Sequence, residues 1–91
     1  MKNISSVIVE YLERTMLNKG LALYESDEGK YMAMDESFNV RFKFDLEFTD
    51  RAFVCHTLIH TDGELQLSHS VNIAWTNGKA IRDFFQYLQE L

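Results

Sequence analysis

Cys55 and His69 are the two side chains in this sequence whose chemistry suggests itself first. An imidazole beside a thiol can generate a thiolate nucleophile. If the strands carrying them pair so that the two stand opposite each other on the core side, their Cβ atoms lie about 5 Å apart. The same placement argues for a quiet role, because a cysteine in apolar surroundings keeps its proton and is inert. Two ligands are too few for a structural zinc site, so no metal and no cofactor is expected. His56 and His60 fall four apart on one strand, roughly 13 Å from each other, and cannot share an ion. They read as part of a polar, half-exposed face with Arg41, Lys43, Asp45 and Glu47.

Glu25, Asp27, Glu28, Asp35 and Glu36 form an acidic group interrupted by one base, Lys30. Paired carboxylates do acid–base work only at a fixed separation inside a pocket. The plainer expectation is a solvated rim, or a docking surface for a basic partner. A formal net charge of −5 repels phosphate backbones and argues against general nucleic-acid binding. It leaves room for an acidic mimic of nucleic acid if these five acids share one surface. Glycine-rich phosphate cradles, a nucleophile elbow and zinc-finger spacings are missing, so the sequence assigns no catalytic residue and leaves catalysis without positive support.

The positioning elements follow from periodicity. Ile4, Ile8, Tyr11, Leu12 and Thr15 repeat on a helical period, predicting an amphipathic helix over residues 5–18, capped by Asn3, Ser5 or Ser6 and stopped by Lys19-Gly20. A hairpin is expected at 21–25 and 30–34 around Ser26-Asp27-Glu28-Gly29. Between Val40 and Phe48 apolar and charged residues alternate without a break, the signature of a half-buried strand. Residues 51–60 form the fourth strand. In the fifth, 65–75, Leu65, Leu67, His69, Val71, Ile73 and Trp75 point to one side and Gln66, Ser68, Ser70, Asn72 and Ala74 to the other. A final helix from Thr76 or Asn77 onward shows Ala80, Ile81, Phe84, Phe85, Leu88 and Leu91 on one face.

Faces decide the turns, because paired residues share a side. The loop near Thr49-Asp50 must hold an even number of residues. A three-residue loop, Thr61-Asp62-Gly63, keeps the fifth strand's apolar row with Phe42, Phe44 and Phe53, so Phe44 and Leu67 should lie on one side. A two-residue Asp62-Gly63 turn would put that row under the charges of the third strand and is rejected. The expected fold is a single α+β domain over residues 1–91. It has an antiparallel five-stranded meander with the N- and C-terminal helices packed on one face, in the order α-β-β-β-β-β-α. That order is similar to the layout of small bacterial chaperone and adaptor domains, a likeness of architecture and not of motif.

In a meander the fifth strand is an edge. From Leu65 to Trp75 it carries no Asp, Glu, Lys, Arg or Pro, the residues that usually keep edges from recruiting other strands. The expected interaction row is therefore Gln66, Ser68, Ser70, Asn72 and Ala74, pairing with an early strand of the same chain that closes onto it, with a second copy of the chain or with another protein. A non-enzymatic protein-interaction domain, of adaptor, chaperone-like or inhibitor type and working as a homodimer, is the leading expectation. The alternative is a small-ligand or catalytic domain with an aromatic-lined cavity between sheet and helices, where Cys55 and His69, with Tyr11 and Tyr87, supply polar handles. The lone cysteine, the short apolar run at the start and the lack of any membrane-length apolar stretch point to a cytoplasmic protein with no membrane partner.

Overall fold

The computed structural model describes residues 4–61 and 63–91, and of Leu67 the backbone alone. Helix α1 spans Ile4–Asn18, so Asn3, a candidate cap, lies outside the described residues. The helix ends where Gly20 turns left-handed (φ 78°). There Leu21 N–H bonds the Met16 carbonyl and Gly20 N–H that of Leu17, both at 2.9 Å. This six-residue closure satisfies the last carbonyls and folds buried Leu21 back towards buried Met16.

Strands β1 (Ala22–Asp27), β2 (Lys30–Met34), β3 (Val40–Phe48), β4 (Ala52–Thr61) and β5 (Glu64–Ala74) form one antiparallel sheet in sequence order. The β1–β2 turn is tighter than expected: Asp27 pairs with Lys30, which leaves Glu28-Gly29 as the connection. Gly29 is required there. Its φ is 73°, and a Cβ would sit 2.6 Å from the Leu46 carbonyl oxygen. The β3–β4 hairpin closes from Phe48 opposite Phe53, an even loop of 49–52. Thr49 Oγ1 accepts Ala52 N–H at 3.0 Å, and the Thr49 carbonyl accepts the Trp75 indole N–H at 2.8 Å.

Helix α2, Gly78–Glu90, begins at Asn77, whose side chain accepts Ala80 N–H. Both helices cover the same side of the sheet. Ile8, Leu12 and Met16 of α1 and Phe84 and Leu88 of α2 share one buried cluster with Phe42, Phe44, Leu46, Phe53, Cys55 and Ile73. Phe53 lies at the aromatic centre, with ring centroids 5.3 Å from Trp75 and 6.2 Å from Phe84. Full burial of each such ring contributes roughly 1.5–3 kcal/mol before entropy is counted. The opposite side of the sheet carries the row Tyr24, Met32, Lys43 and Leu58, opposed strand to strand.

The β4–β5 hairpin corrects the expectation. Thr61 pairs with Glu64, so the connection is the two-residue one that face matching rejected; Asp62 within it lies outside the described residues. The faces are reconciled by a β-bulge. Thr57 pairs with His69 but Leu58 pairs with Leu67, leaving Ser68 as an extra residue. Beyond it, His69, Val71 and Ile73 oppose Thr57, Cys55 and Phe53 on the helix side. Before it, the phase is inverted: Gln66 opposes Ile59 on the helix side, while Leu65 and Leu67 oppose His60 and Leu58 of the outer side. Phe44 and Leu67 therefore occupy positions on opposite sides of the sheet. The core survives because only the half of β5 after the bulge contributes to it.

Candidate functional site

β5 is an edge of the sheet, eleven residues long, and its hydrogen-bonding phase follows from one contact. Trp75 N–H bonds the Arg51 carbonyl at 2.9 Å, in line with the Phe53–Ile73 and Cys55–Val71 pairs. In an antiparallel ladder alternate residues bond the same neighbour. Ile73, Val71 and His69 thus bond inward to β4, and Ser70, Asn72 and Ala74 send their N–H and C=O groups away from the sheet. Of the five residues expected to form the interaction row, these three present main-chain groups outward, with exposed side chains. Gln66 and Ser68 are exposed too, but one lies in the inverted phase and the other is the bulge, so they do not continue the row.

Beside this edge runs a cleft of about 420 Å³ between β5 and α2, with Val71, Ile73, Ala80, Phe84 and Tyr87 as apolar and aromatic walls and His69, Asn72 and Asp83 as polar ones. The His69 ring packs on Tyr87 at 4.3 Å and lies nearly parallel to Phe84 at 6.2 Å. Cys55 and His69 are not opposite each other, as the expected register required: Cys55 opposes Val71, and His69 opposes Thr57. The two-residue turn and the bulge each move the register by one residue. Cys55 is fully buried, its sulfur 3.8 Å from Thr57 Oγ1. Burial pushes its thiol up to about 12, against a weaker pull from the Thr57 hydrogen bond. A thiol so held is packing, not a nucleophile.

His56 joins a polar row on the outer side of the sheet, where Lys30, Asp45, His56 and Ser70 are opposed strand to strand. His56 Nδ1 and Ser70 Oγ lie 2.8 Å apart. The pair resembles a base with its hydroxyl, but it sits on the side of the sheet that neither helix covers. Among the described residues no three His, Cys, Asp or Glu side chains gather as a metal site, and no helix is long and apolar enough to cross a membrane.

The five acids separate into two groups at opposite ends of β2. Glu25, Asp27 and Glu28 flank the β1–β2 turn, and Asp35 and Glu36 begin the β2–β3 connection. Glu25 opposes Tyr31, whose hydroxyl is held above its usual range by burial, then by the hydrogen bond and charge of Glu25. Asp35 organises its loop: one carboxylate oxygen accepts Ser37 N–H at 2.9 Å and Asn39 N–H at 3.0 Å. The bond from the Asn39 backbone leads the causes that lower its pKa. That loop holds Phe38 in the left-handed region (φ 63°) with 74% of its surface exposed. Sequence reasoning passed over Phe38; the signal was an aromatic inside an Asp-Glu-Ser-Phe-Asn turn.

No protein-family model matches the chain, and neither the curated proteins nor the solved structures contain a significant match to it.

Proposed function

We propose that this chain is a protein-interaction domain that self-associates by pairing the outer half of β5 with its counterpart in a second copy. The observation that carries this reading is the row of outward-directed backbone groups at Ser70, Asn72 and Ala74, on a stretch of edge strand after Glu64 that has no charged residue. An unprotected edge of this kind recruits another strand. A two-fold axis at Asn72 sets Asn72 opposite its own copy and Ser70 opposite Ala74. Every outward-directed residue of the segment then meets another, which is what a hydrogen-bonded antiparallel pair requires. Val71 meets Ile73 of the second copy over the cleft beside α2, and this adds burial to the backbone bonds.

The bulge at Ser68 confines pairing to residues 69–74, since a bulge interrupts an edge and twists it away. Adaptor, chaperone-like or inhibitor roles all fit a small dimer of this form, and a lone buried thiol suits a reducing, cytoplasmic setting.

Sedimentation equilibrium with amide hydrogen exchange tests the proposal. The expected mass is twice the chain's 10.7 kDa, with concentration-dependent protection at Ser70, Asn72 and Ala74. Asn72→Lys sets two ammonium groups together at the axis, and Asn72→Pro removes an outward N–H; each should give a folded monomer. A monomeric wild type whose amides at 70, 72 and 74 exchange freely at every concentration would overturn the proposal.

A further inference from the structure

The two helices meet over the sheet, but their outer shoulders stay apart and form a second cleft of about 440 Å³. Tyr11 and Phe85 make its aromatic floor, with ring centroids 5.7 Å apart and planes tilted by 60°, and Ile81 extends it. Its two sides come from one stripe on each helix. Tyr11 and Arg14 are three apart on α1, and Ile81, Arg82, Phe85 and Gln86 follow the helical repeat on α2, so each stripe faces one way. One end is tied shut: Lys19 Nζ donates to the carbonyls of Gln89 and Leu91 at 3.2 and 2.9 Å, and the Asn18 amide reaches Gln89 Oε1 at 3.4 Å.

Arg14 from α1 and Arg82 from α2 stand on either side of this floor. The chain carries five more acids than bases, yet among the described residues no acidic one lines the cleft. Among the described residues neither guanidinium has a carboxylate partner; the salt bridge of α2 joins Lys79 to Asp83. Unpaired guanidinium forks match carboxylate geometry and stack on aromatic planes. An apolar floor of this size accepts a ligand body of one or two fused rings.

We infer that the cleft between α1 and α2 is a binding site for a small aromatic carboxylate, its ring on Tyr11, Ile81 and Phe85 and its carboxylate between Arg14 and Arg82. The site lies apart from the β5 edge and does not depend on self-association.

The probes are 2-naphthoate and, as a neutral molecule with the same ring system, 2-naphthylmethanol. Each is titrated into isotope-labelled protein and followed by amide shifts. Naphthoate should bind at least about tenfold more tightly than the alcohol, a difference of about 1.4 kcal/mol, and should move amides of residues 11–18 and 81–89. Arg14→Gln and Arg82→Gln alter exposed side chains and should leave the amide spectrum folded. Each should weaken naphthoate about tenfold and leave the alcohol unchanged. Added salt should weaken the naphthoate alone. Equal binding of the two probes, wild-type naphthoate affinity in both variants, shifts confined to β5 or the outer sheet face, or no naphthoate binding at millimolar concentration would each overturn the inference.

Discussion

Deleting a residue from the middle of a strand ordinarily inverts every side chain beyond it. In β5 the penalty should depend on distance from Ser68. Removing Ser68 leaves every cross-strand pair in place, because Thr57 already opposes His69 and Leu58 already opposes Leu67; the ladder becomes continuous. Ser68 is exposed, so its loss should change stability by less than about 1 kcal/mol, within the range of surface changes away from packing or caps. Removing Ser70 instead lets the bulge absorb the gap, with His69 opposing His56 and Ser68 opposing Thr57. Only one core position changes. The cost is the His69 stack on Tyr87 at 4.3 Å and its partial burial, about 1–2 kcal/mol.

Removing Asn72 inverts two core positions. Val71 leaves the helix side, and the Ser70 hydroxyl arrives opposite fully buried Cys55. An unsatisfied hydroxyl costs about 1–3 kcal/mol, so this deletion should cost about 3–4 kcal/mol in all. That is a large share of the total stability of about 5–15 kcal/mol typical of a domain. Urea titration read by the single tryptophan, Trp75, which packs on Phe53, gives the three values. The order should be Ser68, then Ser70, then Asn72, with unchanged m-values. If the Ser68 deletion is as damaging as the Asn72 deletion, the assigned register of β5 is wrong. The Ser68 deletion should also raise self-association, since it regularises the whole edge.

Phe38 is a bulky residue at φ 63° with three-quarters of its surface in water, so it bears left-handed strain of about 1–2 kcal/mol with little burial in return. Phe38→Asn should therefore raise the midpoint of thermal unfolding by about 4–8 °C per kcal/mol recovered; a fall in a calorimetric scan would show that the ring packs on something. The Cys55 thiol is pushed from 9.0 to about 12 on folding, so the native state keeps a proton that the unfolded chain loses. The associated stability is complete below pH 9 and is lost as pH rises towards 12, by at most about 1.4 kcal/mol per pH unit. Urea midpoints of wild type and Cys55→Ala should converge across that window; parallel pH profiles would contradict the buried, neutral thiol.

The elements that could be read from the sequence are those in which one local signal decides. In β3 charged and apolar residues alternate through nine positions, and only one side can be buried. The parity of the β3–β4 loop follows from the same fact, because Phe42, Phe44 and Leu46 can share a side with Phe53, Cys55 and Ile59 in no other way. In α2 the stripe through Ala80, Phe84 and Leu88 leaves one packing direction. The α1–α2 cleft was not legible in this sense. Arg14 and Arg82 are 68 positions apart in sequence, from 82 − 14, and only the placement of the helices on the sheet brings them to one floor.

At β5 two sound signals disagreed. Asp62-Gly63 favours a two-residue turn, and the row of Leu65, Leu67, His69, Val71, Ile73 and Trp75 favours one face throughout. The chain satisfies the first and breaks the second at Ser68. The break is tolerable because β4's outer side offers Leu58 and His60, half-buried and exposed, as neighbours for the positions of Leu65 and Leu67. The two halves of β5 therefore serve different ends. The half after the bulge seals the core with Val71 and Ile73 while its alternate residues turn their backbone groups outward, and the half before it cannot extend that row. An edge both open and cut short offers a pairing segment of fixed length and register. That geometry favours a closed two-fold pair over open-ended strand addition, because a register centred on Asn72 meets the bulge within a few residues on either side.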